Sequence, residues 1–266
     1  MKRFTVLVLA LMMVFSASAM AEGTLRVGME CNYAPFNWTQ AEESETAVPL
    51  AGGGYADGYD VQIAKLIAKG LGMELEIVKT EWDGLPMGVM SGKLDAVIAG
   101  MSPTEERKVT LDFTDNYYES QLVIVVRADS AYANAKTLDD FAGAKLTGQL
   151  NTFHYGVLSQ ADKATVVTAM ETFPAMIVAL KAGSIDGYVS ELPGAVSAVA
   201  SNPELTYVQF AEGEGFETST DDTAIAVAVA KGSPLRDQIN EILATISLEQ
   251  REELMQWAVD NQPLSE

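Results

Sequence analysis

The residues able to do chemistry in this chain are few, and most of them carry charge or aromatic rings. Arg107 closes the segment Ser102-Pro-Thr-Glu-Glu-Arg107. A guanidinium is a planar fork that matches the two oxygens of a carboxylate. Free backbone N–H groups at a helix start in that segment would favour the same anion. Taken alone, the spacing favours a plainer reading, a surface arginine paired with Glu105 or Glu106. Glu191 stands just after an apolar run and could accept an ammonium; alone it reads as a solvent-facing carboxylate ahead of Pro193. One cation and one anion facing a common cleft would suit a zwitterion with both charges on one carbon. Tyr33, Phe36, Trp38 and Trp82 could sandwich an aliphatic or cationic group, although core packing is the better reading of Phe36. His154, the single histidine, reads as a packed or exposed loop residue rather than a catalyst or metal ligand. The chain shows no nucleophile–histidine pair, no cluster of metal-ligand residues and no glycine-rich phosphate loop. No catalytic residue, metal or cofactor is therefore expected.

These side chains need elements to hold them. Residues 24–29 and 74–78 alternate apolar and polar positions and predict strands. Between them, residues 60–71 place Val61, Ile63, Ala64, Leu66, Ile67 and Leu71 at helical spacing, with Gly72 as the stop. Strand, helix, strand predicts a parallel crossover unit. Residues 37–58, rich in Glu, Thr, Ala and Gly, predict a loop or loose hairpin. One segment has an echo: Ser91-Gly-Lys-Leu-Asp-Ala-Val-Ile-Ala-Gly100 resembles Ala182-Gly-Ser-Ile-Asp-Gly-Tyr-Val-Ser-Glu191. Each follows a predicted helix, 85–90 and 174–181, and continues into a short buried strand. The echo points to two similar α/β lobes, although such a pattern can recur by chance. Ligands of open α/β sheets gather beyond the carboxyl ends of strands. That directs attention to residues 99–102, with Gly100, Met101 and Ser102, and to residues 190–191. The continuous apolar runs 122–127 and 223–230 predict strands buried on both faces. If they lie side by side, the chain crosses twice between a first lobe of 22–118 plus 224–266 and a second of 119–223. Helices are predicted near 233–246 and 247–259, with Ser233 and Ser247 as N-caps.

Composition narrows the setting. Lys2 and Arg3, the apolar run 5–15 and Ala19-Met-Ala21 predict a secretory signal peptide, 1–21, cleaved after Ala21. The apolar run is shorter than the roughly 20 residues that a membrane-spanning helix needs. The single cysteine, Cys31, does not follow the cleavage point, so neither a lipid anchor nor a disulfide is expected; it reads as a small buried apolar side chain. Net charge is −20, and −22 without Lys2 and Arg3. So acidic a surface repels phosphate backbones and argues against nucleic acid as a partner.

The segments Leu25-Arg-Val-Gly-Met29, Tyr33-Ala-Pro-Phe36, Gly58-Tyr-Asp-Val61, Trp82-Asp-Gly-Leu85, Gly92-Lys-Leu-Asp95, Met101-Ser-Pro-Thr-Glu-Glu-Arg107 and Asp112-Phe-Thr-Asp115 occur in an order and spacing that resembles the family 3 bacterial solute-binding proteins, the polar amino acid receptors of ABC importers. The resemblance covers nearly the whole chain after the signal peptide. It implies a periplasmic-binding-protein-like type II fold: two α/β lobes joined by a two-strand hinge, with the ligand cleft between them. It implies that Arg107, with Ser102 and the backbone of Thr152, binds a ligand carboxylate. It places Glu191 and the Gly100 carbonyl at the α-ammonium, Tyr33 and Trp82 as aromatic walls, and Glu30 near the ligand side chain. Met101 and Phe153 adjoin these positions. The partners it implies are an L-amino acid, polar or basic slightly favoured, and an ABC importer permease, with a monomeric protein in the periplasm. The sequence departs from the family pattern at Gln62, where an acid is usual on what reads as a helix surface, at Asn151 and at Phe153. The segment between Trp38 and Tyr55 is longer than in many members. Glu30 favours a basic ligand and Phe153 a more apolar one. Two other readings remain: a dehydratase-like enzyme on the same fold, with Glu191 as its acid, and a sensory module that signals ligand state to a separate membrane partner.

Overall fold

In the computed structural model, which describes residues 23–263, the first alternating segment forms the strand Thr24–Met29, with Leu25, Val27 and Met29 fully buried. The expected signal peptide lies outside the described residues. Thr24–Met29 pairs in parallel with Glu74–Lys79 on one side and Ala96–Val97 on the other. The helix Tyr59–Leu71 makes the crossover and buries Val61, Ile63, Ala64 and Ile67 against this sheet. Gly72 ends it with a left-handed φ of 68°, a conformation that costs glycine nothing. The order of the sheet is Glu74–Lys79, Thr24–Met29, Ala96–Val97, Ala224–Ala230, Leu111–Glu119.

A second five-stranded sheet has the same plan: Thr165–Val166, Lys145–Thr147, Gly187–Glu191, Leu122–Arg127, Leu205–Gln209. In both sheets the third position belongs to the echoed segment, and the fourth to a strand that runs antiparallel to its neighbours. The echo has a physical cause. Gly92 and Gly183 both adopt φ 72° after their helices. Asp95 then accepts the backbone N–H of Arg26 at 2.8 Å and gives its own N–H to the Arg26 carbonyl at 2.9 Å. Asp186 does the same with Lys145, at 2.9 and 2.8 Å. Each aspartate thus sets the register of a new strand on the strand at the second position of its sheet.

Three expectations need correction. The runs 122–127 and 224–230 are not neighbours; each is the antiparallel strand of a different sheet. The chain instead passes between the sheets at 119–122 and again between 209 and 224, and the two crossings meet where Ser120 N–H donates to the Thr223 carbonyl at 3.0 Å. The sequence pattern showed burial, which is shared by both strands, but not which sheet buries each. Residues 32–57 form a four-stranded antiparallel sheet, more than the loop or loose hairpin expected over 37–58, because Trp38, Leu50 and Ala56 supply a buried face that composition masks. Gln62 is not a surface residue: it is buried and donates to Asp57 at 2.7 Å and to the Thr46 carbonyl at 3.2 Å, fastening that sheet to the helix.

The helix Leu248–Asn261, capped by Ser247 as its spacing predicts, packs against both Tyr59–Leu71 and Leu192–Ser201. It therefore touches the helical layers of both sheets. Trp257 stacks on Trp38 at 6.3 Å, and Gln262 accepts a hydrogen bond from Ser197. Among the described residues no helix is long and apolar enough to cross a membrane.

Candidate functional site

A small, nearly closed cavity of about 10 Å³ lies between the two lobes, lined by Tyr33, Trp82, Gly100, Ser102 and Arg107 from the first and by Gln149, Thr152, Phe153, His154 and Phe173 from the second. Most of the residues expected at a ligand site thus meet around one space, although they come from segments far apart in the chain.

The cationic side of the cavity is built on the segment after Ala96–Val97. Thr104 caps the short helix Glu105–Lys108, its hydroxyl accepting from Arg107 N–H at 3.4 Å. The Ser102 hydroxyl donates to the Asp222 carbonyl at 2.9 Å, tying this loop to the second crossing. Arg107 Nη1 donates to the Ser102 carbonyl at 3.0 Å, and its guanidinium lies 5.1 Å from the centre of the Trp82 ring. Burial lowers the Arg107 pKa to about 10, partly countered by Glu106 and Glu191. The group therefore stays cationic at neutral pH, with guanidinium donors to offer an anion. Thr152 stands at the N-cap position of Phe153–Gly156 and donates its hydroxyl to the Gln149 carbonyl at 2.7 Å.

Tyr33 is the centre of the aromatic wall. Its ring stacks on Phe173 at 4.1 Å and 12°, and on Phe36 at 5.0 Å. Its hydroxyl donates to Glu191 Oε2; burial and the adjoining carboxylate raise the Tyr33 pKa well above the usual value, so it remains a phenol. Gly100, at φ 61°, faces this ring: a Cβ there would come within 3.2 Å of Tyr33 Cε1. The Gly100 N–H donates to the Tyr117 hydroxyl at 3.3 Å; that hydroxyl donates to Asp60 Oδ1 at 2.7 Å, and Asn37 donates to Asp60 Oδ2 at 2.7 Å. Desolvation raises the fully buried Asp60 to about 7 against the pull of these hydrogen bonds.

The remaining expected residues sit behind the lining. Glu191 is 1 % exposed, at the end of Gly187–Glu191. Glu30 is 4 % exposed and lies behind Gln149, which donates to its two carboxylate oxygens at 3.2 and 3.1 Å. Burial raises Glu30 to about 7. The Met101 side chain lies in the core with Leu85, Val97 and Ala228, its carbonyl accepts from Ala226 N–H at 3.0 Å, and the residue does not line the cavity. The reading from sequence passed over Gln149 and Phe173 and set His154 aside. Gln149 belongs to a segment that the family resemblance marks. Phe173 is brought in only by the start of the helix Phe173–Lys181, where no local pattern distinguishes a wall residue from a core one. Residues 39–57 contribute nothing to the lining. A larger groove of about 580 Å³ opens on the far side of Tyr33 and Phe173; its one charged lining residue, Lys181, pairs with Glu204 at 2.9 Å.

Residues 25–257 match the family model of the bacterial extracellular solute-binding proteins, family 3. The chain belongs to that family. It is 32 % identical over 200 residues to a probable histidine-binding protein of Campylobacter jejuni, covering 74 % of this chain and 72 % of the relative. An amino acid ABC transporter substrate-binding protein from Streptococcus pneumoniae, solved with L-arginine bound, superposes with a TM-score of 0.76 at 26 % identity, covering 89 % of this chain and 94 % of that one. The ancestral amino acid-binding protein described as a precursor of cyclohexadienyl dehydratase superposes with a TM-score of 0.72 at 28 % identity, covering 89 % and 95 %. The fold is accordingly the type II periplasmic-binding-protein fold, two α/β lobes with a cleft between them.

Proposed function

We propose that the protein is a receptor that captures an L-amino acid between its lobes and delivers it to the permease of an ABC importer. The observation that carries this reading is the arrangement, around one cavity, of Arg107 against Trp82 from the first lobe and His154 from the second, with Glu191 buried behind the histidine. A zwitterion needs a fork of donors at one end and acceptors at the other, and burial of a charged ligand is tolerable only when both charges are matched. Arg107, Ser102 and Thr152 take the carboxylate; Glu191 and Gly100 serve the ammonium side; Tyr33, Trp82 and Phe153 flank the side chain, with Met101 as backing. Glu30, behind Gln149, favours a polar or basic ligand. The lobes, 22–118 plus 224–266 and 119–223, close about the crossings at 119–122 and 209–224, and the protein acts as a monomer in the periplasm after export by its cleaved signal peptide. Binding rather than catalysis is the activity in this reading, which the amino-acid-binding relatives support, and a prephenate-like substrate is expected to pass unchanged.

Calorimetric titration of residues 22–266, stripped of carried-over ligand by unfolding and refolding, against the L-amino acids plus cystine and ornithine tests this reading. One-to-one binding of one or a few supports it. Silence across the panel overturns it.

A further inference from the structure

Beside the cavity, two buried polar groups lack hydrogen-bond partners. Neither ring nitrogen of His154 has one, nor does Oε1 of Glu191, although the residues are 5 % and 1 % exposed. His154 Nε2 and Glu191 Oε1 are 3.2 Å apart but are not aligned for a hydrogen bond with each other. The second oxygen of Glu191 is already taken by the Tyr33 hydroxyl. Buried polar atoms in folded proteins are nearly always paired, and an unpaired one bears its full desolvation cost. The arrangement is held in place. Phe153 and Phe173 pack on the imidazole with ring centres at 4.4 and 6.0 Å. Gly148 presses on the His154 backbone so closely that a Cβ there would lie 2.9 Å from its carbonyl. Of the two groups, the imidazole is the one that lines the cavity; the carboxylate stands behind it.

We propose that His154 is a specificity-determining contact for the ligand ammonium, with Glu191 as the charge behind it. The proposal rests on the amino-acid reading of the cavity and assigns the direct contact to the imidazole. A neutral imidazole has one donor and one acceptor nitrogen, whereas an ammonium has three donors and no acceptor. An ammonium at the cavity edge can give one N–H to the histidine lone pair and direct its charge at the carboxylate 3.2 Å beyond. It thereby supplies the partner these atoms lack. Arg107 lines the same cavity, but a guanidinium carries donors only and cannot accept from the ammonium. A ligand without an amino group brings no donor and leaves both acceptors unpaired.

The test compares two ligands on three proteins. The ligands are the L-amino acid found by titration and its deaminated carboxylic acid, identical except for hydrogen in place of the amine. The proteins are the wild type, His154→Leu and His154→Gln, the last retaining a side-chain acceptor. His154→Leu is expected to lose at least tenfold in affinity for the amino acid and to change less than threefold for the deaminated acid. His154→Gln is expected to recover at least half of the loss on a logarithmic scale. Equal losses for both ligands, or an amino acid affinity within threefold of wild type in His154→Leu, would overturn the role of His154 and leave the receptor reading intact. Failure of the wild type to bind any amino acid would overturn both together.

Discussion

Gln149, in the cavity lining, and Glu30, buried behind it, join the two lobes, the Gln149 amide donating to both carboxylate oxygens at 3.2 and 3.1 Å. The same amide reaches the Glu171 carbonyl at 3.0 Å, so one side chain from the second lobe fastens a carboxyl of the first to its own scaffold.

That carboxyl makes folding sensitive to pH. Desolvation raises Glu30 to about 7, more than the Gln149 amide lowers it. A carboxyl whose folded pKa exceeds its unfolded value of about 4.3 takes up a proton on folding. Its contribution to stability is most favourable below that value and falls as pH rises from about 4.3 to about 7. Glu30→Gln is neutral throughout this range. It is expected to match the wild type at pH 5 and to exceed it at pH 8 by about 1–3 kcal/mol, as measured by denaturant unfolding at the two pH values. An equal difference at both would show that Glu30 is not the titrating group.

Arg107→Ala is expected to abolish most ligand binding, by at least about a hundredfold, the scale of losing a charge-assisted bidentate contact. The fold should persist, because Arg107 is only half-buried and its internal partners are the Ser102 carbonyl and the Trp82 ring. Arg107→Lys should recover little, since an ammonium cannot present the fork. Calorimetric titration with a parallel thermal melt separates lost binding from lost folding; near-unchanged affinity in the alanine variant would refute the assigned carboxylate site.

At the rim of the cleft, Asn151 donates to both carboxylate oxygens of Asp83 at 2.9 Å, and its carbonyl accepts from the Trp82 indole at 3.3 Å. Asn151 has φ 56°, which glycine adopts freely. Asn151→Gly therefore removes the side-chain clasp while preserving the turn. With an exposed hydrogen bond to a charged group valued at about 1 kcal/mol, ligand should leave about five times faster at an unchanged association rate. Stopped-flow fluorescence, using the Trp82 signal, reports both rates.

Gly100→Ala is expected to destabilise the protein by about 1–3 kcal/mol, the scale of strain at a left-handed backbone position. The added methyl would also meet Tyr33 at 3.2 Å and displace the ring that stacks on Phe173. A melt shows the first effect, and a drop in affinity beyond the loss of stability shows the second.

Much of this protein could be read from the chain alone. The helix Tyr59–Leu71 and the strand Thr24–Met29 follow from local periodicity, because one buried face leaves its imprint on successive residues. The echoed Gly-x-x-Asp segments disclosed two similar lobes, because each aspartate performs a local task, setting the register of one strand on another. Seven ordered motifs disclosed the family, and with it Arg107. What the chain alone could not decide were relationships between distant residues. The runs 122–127 and 224–230 look alike, since burial on two faces erases periodicity, and only strand pairing assigns them to separate sheets. Gln62 and His154 read as surface or loop residues because a polar side chain gives no local sign of being buried; their burial depends on Asp57 in one case and on Glu191, Phe153 and Phe173 in the other. That Glu30 lies behind Gln149, and Glu191 behind His154, was decided only when the two sheets came face to face, because depth beneath a cavity is a property of the packed chain and not of any segment in it.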